Sequence, residues 1–254
     1  MKIMNKFENI LKIRNSLSSG KASIGSWMQF NDSNVAEIMG QSGFDWVAVD
    51  MEHGTADIIN LPDIFRAIEL GGTLPLVRLP SSDLNVCRRV MDAGSGGVII
   101  PTVEDAEQLK SIINSCTWPP TGIRGVGFSR ANMYGKNFDE YKKFASEPLI
   151  IAMIENVKGL ENLEEITQTK GLDAILIGPY DLSASLNVLG DLENSNLKSN
   201  IKNILKICKA NKIACGIHVI EPDKKKLEIM IADGFLFIPY SMDSMFIRKN
   251  IELN

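Results

Sequence analysis

Short runs of apolar and β-branched residues recur along the whole chain, and each is followed by a segment with the spacing of an amphipathic helix. Continuously apolar strands that alternate with helices are typical of a parallel sheet covered by helices. The eight runs begin at Ile24, Trp46, Leu74, Gly97, Leu149, Asp173, Ile213 and Phe235. Eight repeats over 254 residues predict a single α/β domain, residues 1–254, folded as a (β/α)8 TIM barrel.

The main alternative to a barrel is an open, doubly wound sheet. It is disfavoured because no G-x-G-x-x-G motif follows the first predicted strand. Residues 1–20 interleave charged and apolar side chains with helical spacing and lack the uninterrupted apolar stretch of a signal peptide. They therefore predict an N-terminal helix in front of the barrel.

Two segments interrupt the repeat. Residues Thr117–Lys136 are rich in glycine and aromatic residues and are too long for an ordinary connection, so we expect an extended loop over the carboxyl-terminal face of the barrel. Residues Ser185–Asn196 are polar and rich in asparagine, which predicts an exposed excursion from the fold.

The composition excludes several classes of protein. A formal net charge of −4 provides no basic surface for DNA or RNA, and no apolar run approaches the ~20 residues of a membrane-spanning helix. We therefore expect a soluble, cytoplasmic protein with no nucleic-acid or membrane partner. Four cysteines without a C-x-x-C pair are expected to be buried small hydrophobic side chains, not metal ligands or disulfides: Cys87, Cys116, Cys208 and Cys215.

Polar and ionisable residues gather at the predicted carboxyl ends of the strands, where the active sites of such barrels lie. They include predicted substrate-binding residues at the first and sixth strands: Trp27, Gly178, Pro179 and Tyr180. The carboxyl ends converge on one mouth, so we expect these side chains to share a pocket.

Glu155 ends the apolar run LIIAMIE, where an unpaired carboxylate would be costly to desolvate. It therefore needs a cation, which is either a metal ion or a neighbouring lysine or arginine. Asp181 opens the helix-like segment DLSASL, where it is either the N-cap or a second ligand. Two carboxylates at adjacent strand ends favour a site for Mg²⁺ or Mn²⁺, and the backbone amides of this turn can hold a substrate carboxylate.

His53 follows the second strand, in the segment VDMEHG, and a near-neutral pKa is the general property of histidine that suits proton transfer. Its place between Glu52 and a glycine at the barrel mouth favours a catalytic over a structural role. Asp50 and Glu52 are candidates to orient His53 or to hydrogen-bond the water shell of the ion. Either of them could instead cap the next helix.

Arg78 ends the third strand and carries a permanent charge toward the same mouth. It either stabilises a developing enolate oxygen or forms a structural ion pair with Glu52 or Glu155. His218, after the seventh strand, is equally compatible with lining the pocket and with a purely structural place.

At these residues the sequence resembles the HpcH/HpaI aldolase family, the metal-dependent class II pyruvate aldolases. The likeness extends from Gly25 to about Arg248. The motifs are weak singly and specific in this order: GSW, SGFDWVAVDMEHG, VRLP, MDAG, PPTGIRGVG, IEN and GPYDLSAS.

The resemblance implies roles for individual residues. Glu155 and Asp181 match the ligands of a divalent metal, Mg²⁺, Mn²⁺ or Co²⁺, Arg78 the arginine that stabilises the pyruvate enolate, and His53 the catalytic base. Asp92, in MDAG, matches the acid that forms a dyad with that histidine, although its sequence position alone predicts a solvated helix residue. The family also implies that the pyruvate carboxylate binds amides near Tyr180 and Asp181, and that the chain forms a homohexamer, a dimer of trimers with exchanged C-terminal helices.

The activity implied by the resemblance is reversible retro-aldol cleavage of a 4-hydroxy-2-oxo acid to pyruvate, or a close 2-oxo acid, and an aldehyde. Met153 stands where relatives that act on dicarboxylic or sugar-acid substrates often have glutamine, and Tyr180 replaces a frequent small residue, so the aldehyde is not implied. No lysine ends a strand, which argues against a Schiff-base mechanism. The alternatives are decarboxylation of oxaloacetate through the same enolate and a non-catalytic 2-oxo-acid sensor, which would have no use for His53.

Overall fold

A computed structural model of the protein describes residues 3–252, with side chains from residue 6 onward. Its strands are β1 Ser23–Met28, β2 Trp46–Asp50, β3 Leu74–Arg78, β4 Gly97–Ile100, β5 Leu149–Ile154, β6 Ala174–Ile177, β7 Ala214–Ile217 and β8 Phe237–Met242. The helices are α1 Ile3–Ser18, α2 Ser33–Gly40, α3 Leu61–Leu70, α4 Leu84–Ala93, α5 Ala106–Cys116, α6 Phe138–Lys142, α7 Val157–Glu161, α8 Leu163–Thr167, α9 Pro179–Ser185, α10 Ser195–Ala210, α11 Lys224–Asp233 and α12 Asp243–Ile251.

The eight strands are parallel and follow one another around the sheet in the order β7-β6-β5-β4-β3-β2-β1-β8. The two ends of this order meet, because Val219 bridges Tyr240 and the Leu236 amide donates a 2.7 Å hydrogen bond to the Cys215 carbonyl. The predicted (β/α)8 barrel is therefore confirmed. The eighth strand begins two residues later than its apolar run indicated and continues to Met242.

Local sequence accounts for most helix boundaries. Four helices begin after an aspartate whose carboxylate accepts backbone N–H groups of the first turn, which satisfies donors that lack a partner within the helix. These N-caps are Asp32, Asp83, Asp105 and Asp223. The single helix expected after β5 is divided into α7 and α8 at Asn162.

The interior of the barrel is filled by large side chains from alternate strand positions, as expected for a packed barrel core. Trp46 and Phe237 stack with ring centroids 4.3 Å apart, and both are fully buried. A Cβ at Gly25 would clash with the Trp46 ring, so the first strand needs a glycine there. A second apolar layer, contributed by the outer faces of the strands and by the helices, surrounds the barrel.

Helix α1 closes the amino-terminal end of the barrel. Its buried residues Phe7, Ile10 and Ile13 belong to the same apolar cluster as the barrel interior. Beside it, Glu69 pairs with Lys6 at 2.9 Å and with Arg130 at 2.6 Å.

The extended loop Thr117–Lys136 lies at this amino-terminal end, not over the carboxyl-terminal face as we expected. Arg130 of the loop donates to the Ala93 carbonyl, at the end of α4. The physical reason is the direction of the chain: the loop connects α5 to β5, and a segment that enters a strand does so at the strand's amino-terminal end.

The cysteines divide into two pairs. Cys87 in α4 and Cys116 in α5 are joined by a disulfide, with Cα atoms 5.9 Å apart, whereas Cys208 and Cys215 are free and buried. The expectation that all four are separate thiols is therefore wrong for Cys87 and Cys116. The two cysteines are 29 residues apart in the sequence, and this spacing does not show that α4 and α5 pack as neighbouring helices. Within residues 3–252, none of the helices combines the length and apolar character needed to span a bilayer.

Candidate active site

The carboxyl ends of the strands surround a cavity of about 400 Å³. Its lining residues are Trp27, Gln29, Asp50, His53, Arg78, Met153, Leu176, Ile177, Gly178, Pro179, Tyr180, Asp181, His218, Ile220 and Met242. Most side chains that the sequence placed at the barrel mouth are thus brought together in one pocket.

Asp50, the last residue of β2, is buried and organises this pocket. Its carboxylate accepts hydrogen bonds from Arg78 Nε at 2.8 Å and Nη2 at 2.6 Å. It also accepts the backbone N–H groups of Glu52 and His53, both at 3.1 Å. Burial opposes ionisation, but the hydrogen bonds and charge of Arg78 outweigh it and lower the pKa of Asp50. Asp50 therefore caps the turn after β2 and holds Arg78; it does not cap the next helix, α3, whose N-cap position is occupied by Asn60.

Arg78 is held on three sides. Besides Asp50, its Nη1 lies 3.2 Å from Glu52 Oε2, and its guanidinium carbon lies 4.7 Å from the centre of the Trp27 ring. The ion pair with Glu52 that we considered as a structural alternative is therefore present. It does not remove Arg78 from the pocket, because the residue still lines the cavity.

His53 lies in the turn after β2, and 59% of its side chain is exposed. Its Nε2 is 4.0 Å from Glu52 Oε2. Among the described residues the imidazole makes no hydrogen bond, and it lines the cavity, where a substrate can reach it.

Glu155 follows β5 and is 3% exposed; it is not among the residues that line the cavity but lies against Gly178, which is. Its Oε1 accepts the Thr102 N–H at 2.6 Å. Burial, followed by the negative charges of Glu52 and Asp181, raises the pKa of Glu155 to about 7 against this hydrogen bond and the charge of Arg78. Among the described side chains, no lysine or arginine forms an ion pair with it, so the expected alternative of a salt bridge is not present.

Two backbone features position the Glu155 carboxylate. Thr102 has φ +48°, a left-handed conformation that is strained for a β-branched residue and that places its N–H against Glu155. On the other side, a Cβ at Gly178 would lie 2.5 Å from Glu155 Oε2. The glycine therefore provides the space that this carboxylate occupies.

Asp181 is exposed and lies in the first turn of α9. Gly178 occupies the N-cap position and Pro179 begins the helix, so Asp181 is not the N-cap that the sequence allowed. The first helical hydrogen bond runs from the Leu182 amide to the Gly178 carbonyl. The amides of Tyr180 and Asp181 precede it and are free of that ladder, as is general at a helix start.

The pocket gathers more negative than positive charge. Burial, together with the negative charges of Asp50 and Asp181, raises the pKa of Glu52 despite Arg78 and His53. Glu52 Oε2 is buried and, apart from its ion pair with Arg78, makes no hydrogen bond within the described part of the chain. In the described part of the chain, however, no three His, Cys, Asp or Glu side chains are grouped closely enough to form a complete metal site. The protein side of a cation site here would therefore be two carboxylates.

Asp92 lies away from this pocket, in the last turn of α4, at the amino-terminal end of the barrel. Its carboxylate is 4.0 Å from Arg124 Nε, and burial raises the pKa of Asp92 although Arg124 and a hydrogen bond from Ser129 oppose this. Within one chain the structure does not bring Asp92 to His53.

Several pocket residues were missed by the sequence analysis. Ile220 and Met242 line the cavity, but they lie beyond the apolar runs that marked β7 and β8. Thr102 contributes its backbone N–H, which side-chain type does not reveal. The sequence feature that could have indicated Thr102 is its position just after β4.

Comparisons with known proteins show the family to which the chain belongs. A model of the family described as HpcH/HpaI aldolase/citrate lyase matches residues 23–249. The hydroxypyruvate/pyruvate aldolase of Roseobacter denitrificans is 33% identical over 233 residues, which cover 91% of this chain and 90% of that protein. The 5-keto-4-deoxy-D-glucarate aldolase of Salmonella paratyphi C is 33% identical over 217 residues, 85% of each protein.

A solved structure of an aldolase/citrate lyase family protein from Burkholderia cenocepacia has the same architecture. It superposes with a TM-score of 0.89 at 26% identity and covers 94% of this chain and 95% of that chain. The likeness therefore extends over nearly the whole barrel fold.

Proposed function

Because the chain belongs to the HpcH/HpaI aldolase/citrate lyase family, we propose that it is a divalent-metal-dependent class II aldolase. The proposed reaction is reversible cleavage of a 4-hydroxy-2-oxo acid to pyruvate, or a close 2-oxo acid, and an aldehyde. The relatives named above are aldolases, which supports a carbon–carbon lyase. The observation that carries the metal dependence is the buried Glu155 carboxylate, which has no ion-pair partner among the described residues and whose pKa the charges of Glu52 and Asp181 help to raise.

The residues present fit a hard divalent cation such as Mg²⁺, Mn²⁺ or Co²⁺. Glu155 and Asp181 would hold it, since carboxylate oxygens are the ligands that such ions prefer. The raised pKa of Glu155, caused by burial and the neighbouring carboxylates, is the electrostatic sign of a site with too little positive charge. When bound, the metal supplies Lewis-acid polarisation of the 2-oxo group.

Arg78 is proposed to stabilise the negative charge that develops on the enolate oxygen of the 2-oxo acid. Its two hydrogen bonds to Asp50 and its contact with Trp27 fix the guanidinium before substrate arrives. Donors that are already oriented toward developing charge are effective because they need no reorganisation during the reaction. The Tyr180 and Asp181 amides at the start of α9 are proposed to bind the substrate carboxylate.

His53 is proposed to move the proton of the 4-hydroxyl group. Its exposed imidazole lines the cavity and approaches Glu52, so substrate can reach it without a conformational change of the barrel. Replacing His53 with alanine should abolish turnover and leave pyruvate binding measurable by calorimetry. Full turnover by this variant would refute the proposed role.

The dyad partner Asp92 is proposed to reach His53 from a second copy of the chain. Asp92 and His53 are at opposite ends of one barrel, so a direct contact requires two molecules packed end to mouth. This agrees with the predicted homohexamer. Coexpressed His53→Ala and Asp92→Ala chains should recover activity that neither has alone; two inactive variants that give an inactive mixture would contradict a shared site. The cytoplasmic location stays a prediction.

Metal removal tests the proposal as a whole. Cleavage of a 4-hydroxy-2-oxo acid should stop in EDTA, return with Mg²⁺, Mn²⁺ or Co²⁺, and persist after borohydride treatment. Borohydride traps Schiff bases, and no lysine lines the cavity to form one. Turnover that is unchanged by EDTA would refute the metal-dependent mechanism.

A further inference from the structure

One wall of the cavity is not used by the proposed chemistry. It comprises His218, which follows β7, together with Ile220, Met242 and part of Trp27. The His218 and Trp27 rings meet edge to face, with centroids 6.2 Å apart and planes at 78°. His218 is the polar side chain of this wall.

The imidazole of His218 has an unsatisfied nitrogen. Its Nε2 is buried and, within the described part of the chain, has no hydrogen-bond partner. Burial lowers the pKa of His218 to about 4, although a hydrogen bond to the Ser241 backbone opposes the shift, so the ring is neutral at neutral pH. An unpaired buried polar atom is unfavourable, which makes a ligand group at this position favourable.

The chemistry of that group follows from the neutral ring. One nitrogen of a neutral imidazole donates and the other accepts, and a hydroxyl group can satisfy either. A carboxylate or oxo oxygen can only accept, and a neutral ring offers it no charge. We propose that His218 recognises a hydroxyl group of the substrate, so that the enzyme prefers hydroxylated fragments; this inference rests on the proposed aldolase function.

Within one chain, the cavity offers no second permanent cation to a further substrate carboxylate. Arg78 is the permanent cation among the cavity residues, and Asp50 and Glu52 already pair with it. A further carboxylate would meet the apolar wall of Ile220 and Met242 or the acidic side chains. Uncharged fragments are therefore favoured over semialdehyde acids.

The recognised hydroxyl can come from either half of the reaction. It is carried by the aldehyde in glycolaldehyde and by the 2-oxo acid in hydroxypyruvate. Both place a hydroxyl group within a fragment of two or three carbons, which suits a cavity of about 400 Å³.

Competition between matched substrates tests the inference. Glycolaldehyde and propanal have the same number of non-hydrogen atoms and differ by a hydroxyl in place of a methyl group, and hydroxypyruvate differs from pyruvate by its hydroxyl. With Mn²⁺ present, we expect kcat/KM to favour the hydroxylated member of one pair by about tenfold, and the pair that shows it identifies the half. Succinic semialdehyde should be a poorer acceptor than butanal.

Two substitutions at one position separate recognition from packing. His218→Leu removes both ring nitrogens at similar volume and should reduce the preference to less than about twofold, whereas His218→Gln keeps a donor and an acceptor and should retain most of it. Each variant is judged by its own ratio between paired substrates, so a general loss of activity does not affect the result. Thermal unfolding shows whether each variant is folded.

The outcomes separate this inference from the proposed function. Metal-dependent exchange of the pyruvate methyl protons in D₂O requires enolate formation but no aldehyde. Suppose that the wild-type protein exchanges the methyl protons but shows no preference for hydroxylated substrates, or that His218→Leu leaves this preference intact. Either result overturns the role of His218 and leaves the aldolase proposal standing. Absence of exchange overturns the aldolase proposal and this inference together.

Discussion

A glutamate is buried at each end of the barrel, and the two glutamates differ in the charges that surround them. At the amino-terminal end, Glu69 lies between Lys6 and Arg130, and although burial opposes it, these two cations lower the pKa of Glu69. At the carboxyl-terminal end, Glu155 is at least as buried but has no ion-pair partner among the described residues, and its pKa is raised to about 7.

We interpret this difference as one between a structural charge, Glu69, and a proposed metal ligand, Glu155. The Glu69 cluster is electrically compensated, so it stabilises the junction of α1, α3 and the extended loop without any ligand. The Glu155 site is uncompensated, and its strained neighbour Thr102 adds a further cost. A protein keeps such a site when a ligand supplies the missing charge.

The largest effect is expected at the uncompensated carboxylate. Glu155→Gln should reduce turnover by about 1,000-fold, because weaker metal binding removes several kcal/mol of electrostatic stabilisation. In EDTA the same variant should be as stable as the wild type or more stable, since a desolvated charge has been removed. Activity and thermal unfolding measure the two effects. Marked destabilisation in EDTA would mean that Glu155 is a structural charge like Glu69.

Glu69→Gln should show the opposite combination, a loss of about 3 kcal/mol of stability with unchanged turnover by the folded protein. The pKa of Glu69 is lowered in the folded state, so its contribution is complete above the unfolded value of about 4.5 and disappears as the pH falls through the lower folded value. Urea unfolding of both proteins between pH 7 and pH 3 measures this. Glu8→Gln, at an exposed position on α1, is the control. Equal losses of stability in the two variants would show that the ion pairs of Glu69 contribute nothing specific to stability.

Arg78→Lys should reduce turnover by about 100-fold. Lysine keeps the charge, but it cannot make the two-point contact with Asp50 or stack as a plane on Trp27, so the donor is no longer oriented. The matched control is Arg66→Lys, an exposed arginine paired with Asp63 on α3. Steady-state kinetics with wild-type activity in the Arg78 variant would show that charge alone suffices.

The smallest effect concerns the space beside Glu155. The Cβ of Gly178→Ala would lie 2.5 Å from Glu155 Oε2 and should displace the carboxylate, which weakens Mn²⁺ binding by about tenfold. Calorimetry of Mn²⁺ binding measures it. Gly125→Ala, where an added Cβ meets no atom within 4 Å, is the control. If both variants bind Mn²⁺ with the same affinity, Glu155 is not a metal ligand.

The positions of the site residues along the chain could be predicted. Arg78, Glu155 and Asp181 follow apolar runs, and the carboxyl ends of parallel barrel strands converge on one mouth whatever the packing details. The position of the extended loop at the amino-terminal end of the barrel could also have been predicted, since the loop leads from α5 into β5. The disulfide between Cys87 and Cys116 was not, because sequence spacing does not show which helices pack side by side.

What the sequence by itself determined was the barrel, the order of its strands and the set of ionisable residues at one end, because apolar periodicity and strand direction are properties of the chain. The tertiary structure decided which charges are compensated. Lys6 and Arg130 reach Glu69 from distant segments, while Arg78 pairs with Asp50 and, within residues 3–252, Glu155 has no salt bridge. A charge is compensated or not according to distances of a few ångströms between segments, and these arise only when the barrel has closed.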